Sequence, residues 1–91
     1  MTKEELSDYI SHGHEIEFRY KCKWYGINYE LTKDDRLFIS FYEGHNELSE
    51  HLVKTVEALI NIRYNGVTVM EILESLGNEE EAEKRGDLII F

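Results

Sequence analysis

At Glu15 the apolar residues change period, and that change restricts the fold more than any other feature of the chain. Before it, Leu6, Tyr9 and Ile10 recur at the spacing of one helix face; after it, Ile16, Phe18 and Tyr20 alternate with Glu15, Glu17 and Arg19. The first pattern belongs to a helix and the second to a strand buried on one side. Thr2 followed three residues later by Glu5 forms a capping box, so a helix is expected over residues 3–12, stopped by Gly13. A second alternating run, Tyr25, Ile27, Tyr29 and Leu31, makes a hairpin with the first and holds Cys22 near its tip. After the polar stretch 32–35, the run 37–42 (Leu-Phe-Ile-Ser-Phe-Tyr) reads as a third strand.

The next segment reads as helical. Leu48, Leu52, Val56, Leu59 and Ile60 form one stripe, with Glu50, Lys54 and Glu57 outside it and Asn46 as N-cap. A helix over residues 47–60 is therefore expected to cover one face of the sheet. Residues 61–65 form an extended link into the turn dipeptide Asn65-Gly66, and Thr68 with Glu71 opens another helix through Val69, Ile72, Leu73 and Leu76, closed by Gly77. A polar helix follows over residues 79–85, ended by Gly86, and Leu88 to Phe91 is expected to join the sheet edge or insert into the core. The expectation is one α+β domain over residues 1–91: a small antiparallel sheet of three to four strands packed against one main helix, with short flanking helices.

Charge narrows the function. Asp plus Glu number 19 and Lys plus Arg 10, a formal net charge of −9. Such a surface repels nucleic acid and anionic membranes and attracts the basic clefts of proteins that bind nucleic acid. Residues 1–25 are nearly balanced, with five acids against four bases, so the excess lies further along. The candidate partner-binding carboxylates are Asp34, Asp35, Glu43, Glu47, Glu50, Glu79, Glu80, Glu81 and Glu83. Spaced carboxylates on a rigid scaffold imitate a row of phosphates and compete for the Lys and Arg that grip them. The plainer account of residues 79–85 is a solvated helix, with its acids at the N-terminal end and Lys84 and Arg85 at the C-terminal end of the dipole.

Other constellations carry less. His12, His14, His45 and His51 are zinc-ligand types, but there is no Cys pair and no HExxH. A zinc-binding metalloprotein is thus an alternative, and no cofactor is expected. Cys22 stands alone, which excludes an internal disulfide and leaves the thiol with no base placed by sequence. Arg19, Lys21, Lys23 and Trp24 interleave bases with an aromatic on the hairpin, where Glu17 is expected to pair with a base across strands. Trp24 and Tyr25 make a second alternative, an antitoxin-like interaction module that meets its partner through the hairpin. With no Gly-rich phosphate loop, P-loop or nucleophile elbow, the chain is not expected to be an enzyme. Without a signal pattern or a long apolar run, it is expected in the cytoplasm.

Glu4-Glu5-Leu6, Ile10, Gly13, Glu15-Ile16-Glu17-Phe18, Tyr20, Tyr25-Gly26-Ile27 and Asn65-Gly66-Val67-Thr68 together resemble small acidic proteins carried by phages and other mobile elements. Those proteins open with a short helix and an EIEF-x-Y hairpin. Where they often have Asn-Gly at the hairpin turn, this chain has Lys21-Cys22, which argues against a tight two-residue turn. The resemblance implies an inhibitor of the anti-CRISPR or anti-restriction type, several of which mimic DNA. A CRISPR effector nuclease is then the foremost partner, met in the host cytoplasm, and no individual functional residue carries over.

Overall fold

The Thr2 hydroxyl accepts from the Glu5 amide and the Glu5 carboxylate accepts from the Thr2 amide, so the expected capping box opens helix α1, Lys3–Ser11. In the computed structural model, which describes every residue except Thr32 and His45 and only the backbone of residues 46–49, the following elements are strands. They are β1 Ile16–Tyr20, β2 Lys23–Leu31, β3 Leu37–Glu43 and β4 Asn46–Val53. Then come α2 Val56–Ile60, the two-residue strands β5 Arg63–Tyr64 and β6 Val67–Thr68, α3 Val69–Ser75, α4 Glu79–Arg85 and β7 Leu88–Ile90. The architecture is α+β: a five-stranded antiparallel sheet of order β4-β3-β2-β1-β7, with short helices.

The helix expected over residues 47–60 is not formed. Residues 46–53 pair with β3, with Ser40 opposite Leu52 and Phe41 opposite His51, and only Val56–Ile60 is helical, capped by Thr55 rather than Asn46. The spacing misleads because residues four apart, such as Leu48 and Leu52, share a face in a strand as well as in a helix. The cover over the sheet is consequently shared. Leu6 and Ile10 of α1, Leu59 and Ile60 of α2, Ile72 and Leu73 of α3 and Ala82 of α4 join one buried cluster with Ile16, Phe18, Ile27 and Phe41 of the sheet. Tyr25 stacks between Phe18 (5.8 Å) and Phe41 (5.7 Å), with Tyr64 edge-on to both Tyr25 and Phe41. Removing a ring such as Phe41, which has no exposure, costs about 3–5 kcal/mol.

Several local expectations hold. Thr68 and Glu71 close a capping box on α3, Gly86 ends α4 in the left-handed region, and Leu88–Ile90 pairs along β1 as an edge strand. Asn65 (φ 52°) and Gly66 (φ 86°) form the turn between β5 and β6. The β1–β2 turn is tight after all: Tyr20 pairs with Lys23, and Lys21 (φ 50°) and Cys22 (φ 64°) both occupy the left-handed region. That is the geometry a two-residue hairpin demands, met here without its usual Asn or Gly. Among the described residues, no helix is long and apolar enough to cross a membrane.

Candidate functional site

The acidic residues named above fall in four places. The Glu79–Arg85 helix packs beside β7, whereas Glu50 lies on β4, at the opposite edge of the sheet. Four inter-strand steps separate those edges, about 19 Å at the usual strand spacing. Asp34 and Asp35 sit in the β2–β3 loop, Asp34 3.7 Å from the Arg36 guanidinium and Asp35 in the left-handed region. Glu43, at the other end of β3, accepts from the Tyr64 hydroxyl and lies 3.1 Å from the Lys23 ammonium. Those two contacts, Tyr64 first, hold its carboxyl below the ordinary range. The Glu47 side chain is outside the described residues.

Around α4 the fold gathers more acid than sequence adjacency implied. The N-terminal ammonium of Met1 donates to the Gly77 carbonyl (3.1 Å), which draws the start of α1 to the start of α4. Asn78 then caps α4 by accepting from the Glu81 amide. Tyr9 of α1 donates to Glu79 Oε2 (2.8 Å), and this bond, with burial, pushes the Tyr9 phenol up to about 12. Glu79 Oε1 is buried without a partner. The Glu5 carboxyl is held low, chiefly by its capping bonds to Thr2. Between the two helices runs a groove of ≈ 570 Å³ whose lining includes Glu5, Tyr9, Glu79, Glu80 and Glu83. Glu80, Glu81 and Glu83 are exposed. Glu5 and Tyr9, some 70 positions away, were not legible as members of this site.

The second surface is the sheet face turned away from the helices. Alternation puts Glu17, Trp24, Gly26, Asn28, Glu30, Ser40, Tyr42, Leu52 and Ile89 there. The Tyr42 ring lies directly over Gly26, where an added Cβ would come within 2.2 Å of Tyr42 Cζ. Asn28 donates to the Tyr42 hydroxyl, while Asn28 Oδ1 is buried without a partner. Burial first, then the negative field of Glu15 and Glu17, raises the Tyr42 phenol. Further along, Glu30 and Glu50 meet across buried Ser40, whose hydroxyl donates to Glu50 Oε1 (2.8 Å). Their shared hydrogen bond, the largest cause for each, raises the Glu30 carboxyl and lowers that of Glu50.

A cleft of ≈ 540 Å³ opens on this face beside Trp24, Tyr42 and Ile89, with Glu17 on its rim. The Arg19 guanidinium lies 5.7 Å from the Trp24 ring centre and 2.5 Å from Asp87, and the residues opposite Glu17 are Gly26 and Ile89, so the cross-strand base expected for Glu17 is not at that position. Trp24 is half-buried and faces the cleft, whereas Tyr25 is only 4% exposed and belongs to the core. Of the two, Trp24 is the more exposed. Trp24 was legible on the hairpin, and Gly26 is a further sequence signal for this surface, since glycine inside a strand marks a close approach.

The histidines are dispersed. His12 caps α1 with Nδ1 2.7 Å from the Asp8 carbonyl, His14 Nδ1 is 2.6 Å from the Phe91 carbonyl, and His51 packs near the Phe41 and Tyr64 rings on β4. His45 lies outside the described residues. Among the described residues, no three His, Cys, Asp or Glu side chains converge as metal ligands. Comparison with protein-family models, with curated proteins and with solved structures finds no match to this chain.

Proposed function

We propose that this protein is a non-enzymatic inhibitor that binds a basic surface on a bacterial nucleic-acid-processing protein. The observation that carries the reading is the α1–α4 groove, where carboxylates from two distant segments line one concave surface of ≈ 570 Å³. Carboxylates held by capped helices stand at fixed spacing, so a partner's Lys and Arg lose little freedom in meeting them, as they would on a phosphate backbone. Nucleic acid is then displaced by competition for the same cations. The resemblance to acidic mobile-element proteins points to a CRISPR effector nuclease as the partner, and so to an anti-CRISPR role.

Capture of partners from a bacterial lysate, at low and high salt, tests the reading. Binding is expected to fall steeply as salt rises. Reversal of Glu80, Glu81 and Glu83 to Lys should weaken it at least tenfold, while the same change of charge at Asp34, Asp35 and Glu74 leaves it within about twofold. Equal losses from the two sets, or none from either, would refute the groove as the contact. Glu5 cannot serve as a control, because it lines the same groove.

A further inference from the structure

The helices leave one face of the sheet bare, and that face combines aromatic surface with negative charge. Trp24 and Tyr42 border the ≈ 540 Å³ cleft, Ile89 lies beside them at 41% exposure, and Glu17 stands on the rim. Glu15, Glu17 and Glu30 all act on the Tyr42 hydroxyl, so the field there favours a cation. Within the chain the site already shows the chemistry it accepts. Arg19 places its guanidinium 5.7 Å from the Trp24 ring while bound to Asp87, a cation over an aromatic face completed by a carboxylate. Asn28, with its buried unpartnered oxygen, holds the Tyr42 hydroxyl from below.

We propose that this bare face is a second contact surface, receiving an extended segment of a partner protein that alternates arginine with aliphatic residues. An arginine would enter the cleft between Trp24 and Tyr42 and pair with Glu17, and the aliphatic side chains would cover Ile89 and Leu52. Arginine suits the site because its flat guanidinium stacks on rings while its N–H groups engage a carboxylate. The proposal deepens the function given above, and rests on it for the sign of the partner's charge. It differs in placing aromatic contacts on the sheet side, away from the α1–α4 groove.

The chain has one tryptophan, so Trp24 fluorescence reports on the cleft directly. The probe is a synthetic octapeptide of alternating Arg and Leu, with a Glu-Leu octapeptide as control. A saturable change in Trp24 emission with the first peptide and none with the second is expected. Glu17→Gln should weaken binding about tenfold, the loss of one charged contact, while Glu80→Gln with Glu83→Gln leaves it within about twofold. Melting followed by circular dichroism confirms that each variant folds. Absence of a saturable change overturns the proposal, as does equal weakening by the groove variant, which would mean unspecific charge attraction. A dimer in sedimentation that the peptide dissociates also overturns it, since the face would then belong to a second copy. Failure here with the groove variant still defective in partner capture would leave the inhibitor reading standing, and the reverse pattern would sink that reading alone.

Discussion

Replacing Gly26 by Ala isolates the contact on which the bare face depends. Gly26 does not use the left-handed region, so the backbone admits alanine and the effect comes from space. The new Cβ would lie 2.2 Å from Tyr42 Cζ and 2.4 Å from its hydroxyl oxygen. Ordinary carbon contacts are about 3.7 Å, so the ring must withdraw by about 1.5 Å. The neighbour is the far end of a side chain, and it can move. Moving it breaks the hydrogen bond from Asn28, whose other polar atom is already unpartnered. Displacing the ring and breaking its hydrogen bond together cost about 2–3 kcal/mol. Against this, alanine restricts the unfolded chain and stabilises by about 0.4–1 kcal/mol. The net expectation is a loss of about 1–2 kcal/mol. For a domain of this size, that lowers Tm by about 4–16 °C. The assay is a double-mutant cycle with Tyr42→Ala, read by urea unfolding. With the ring gone, Gly26→Ala should become neutral or stabilising, giving a coupling of about 2 kcal/mol. The same cost in both backgrounds would refute the reasoning.

Two further outcomes are expected. Tyr9 and Tyr64, both pushed up to about 12 chiefly by hydrogen bonds to Glu79 and Glu43, should ionise late in an ultraviolet phenolate titration, and Tyr64→Phe should remove one late-ionising group. Because their folded values exceed the ordinary 10.0, the stability they contribute is complete below about pH 10 and is lost as pH rises toward about 12. Thermal melts over that range check the sign, and stability that rises there would contradict it. Lys21→Asn combined with Cys22→Gly should raise Tm, since each present residue sits in the left-handed region at about 1 kcal/mol or more. The loss of the Lys21 ammonium over the Tyr20 ring (5.3 Å) offsets only about 0.5 kcal/mol. A lower Tm would show that the hairpin tip is held by something other than local backbone preference.

Whatever depends on neighbours along the chain is legible before the fold is known. The Thr2–Glu5 and Thr68–Glu71 boxes, the Asn65-Gly66 turn, the alternation through β1 and β2, and the Gly86 stop are all set by contacts a few residues apart. Such signals survive without knowledge of the fold because hydrogen-bonded ring sizes and side-chain periods are local. The remainder follows from contacts between distant segments. Residues 46–53 became a strand because β3 offered a free edge, and pairing with it satisfies backbone groups that a four-residue apolar spacing leaves open to either structure. Tyr42 came to rest over Gly26 through the register of β2 and β3. The site divides in the same way. Glu80, Glu81 and Glu83 are legible as an acidic run, but Glu5 and Tyr9 join them only because α1 packs beside α4. Glu50, expected to share their role, is carried to the far edge of the sheet. Composition set the amount of negative charge; strand order and helix packing set which carboxylates stand together, because proximity between segments 70 residues apart is a property of the folded chain.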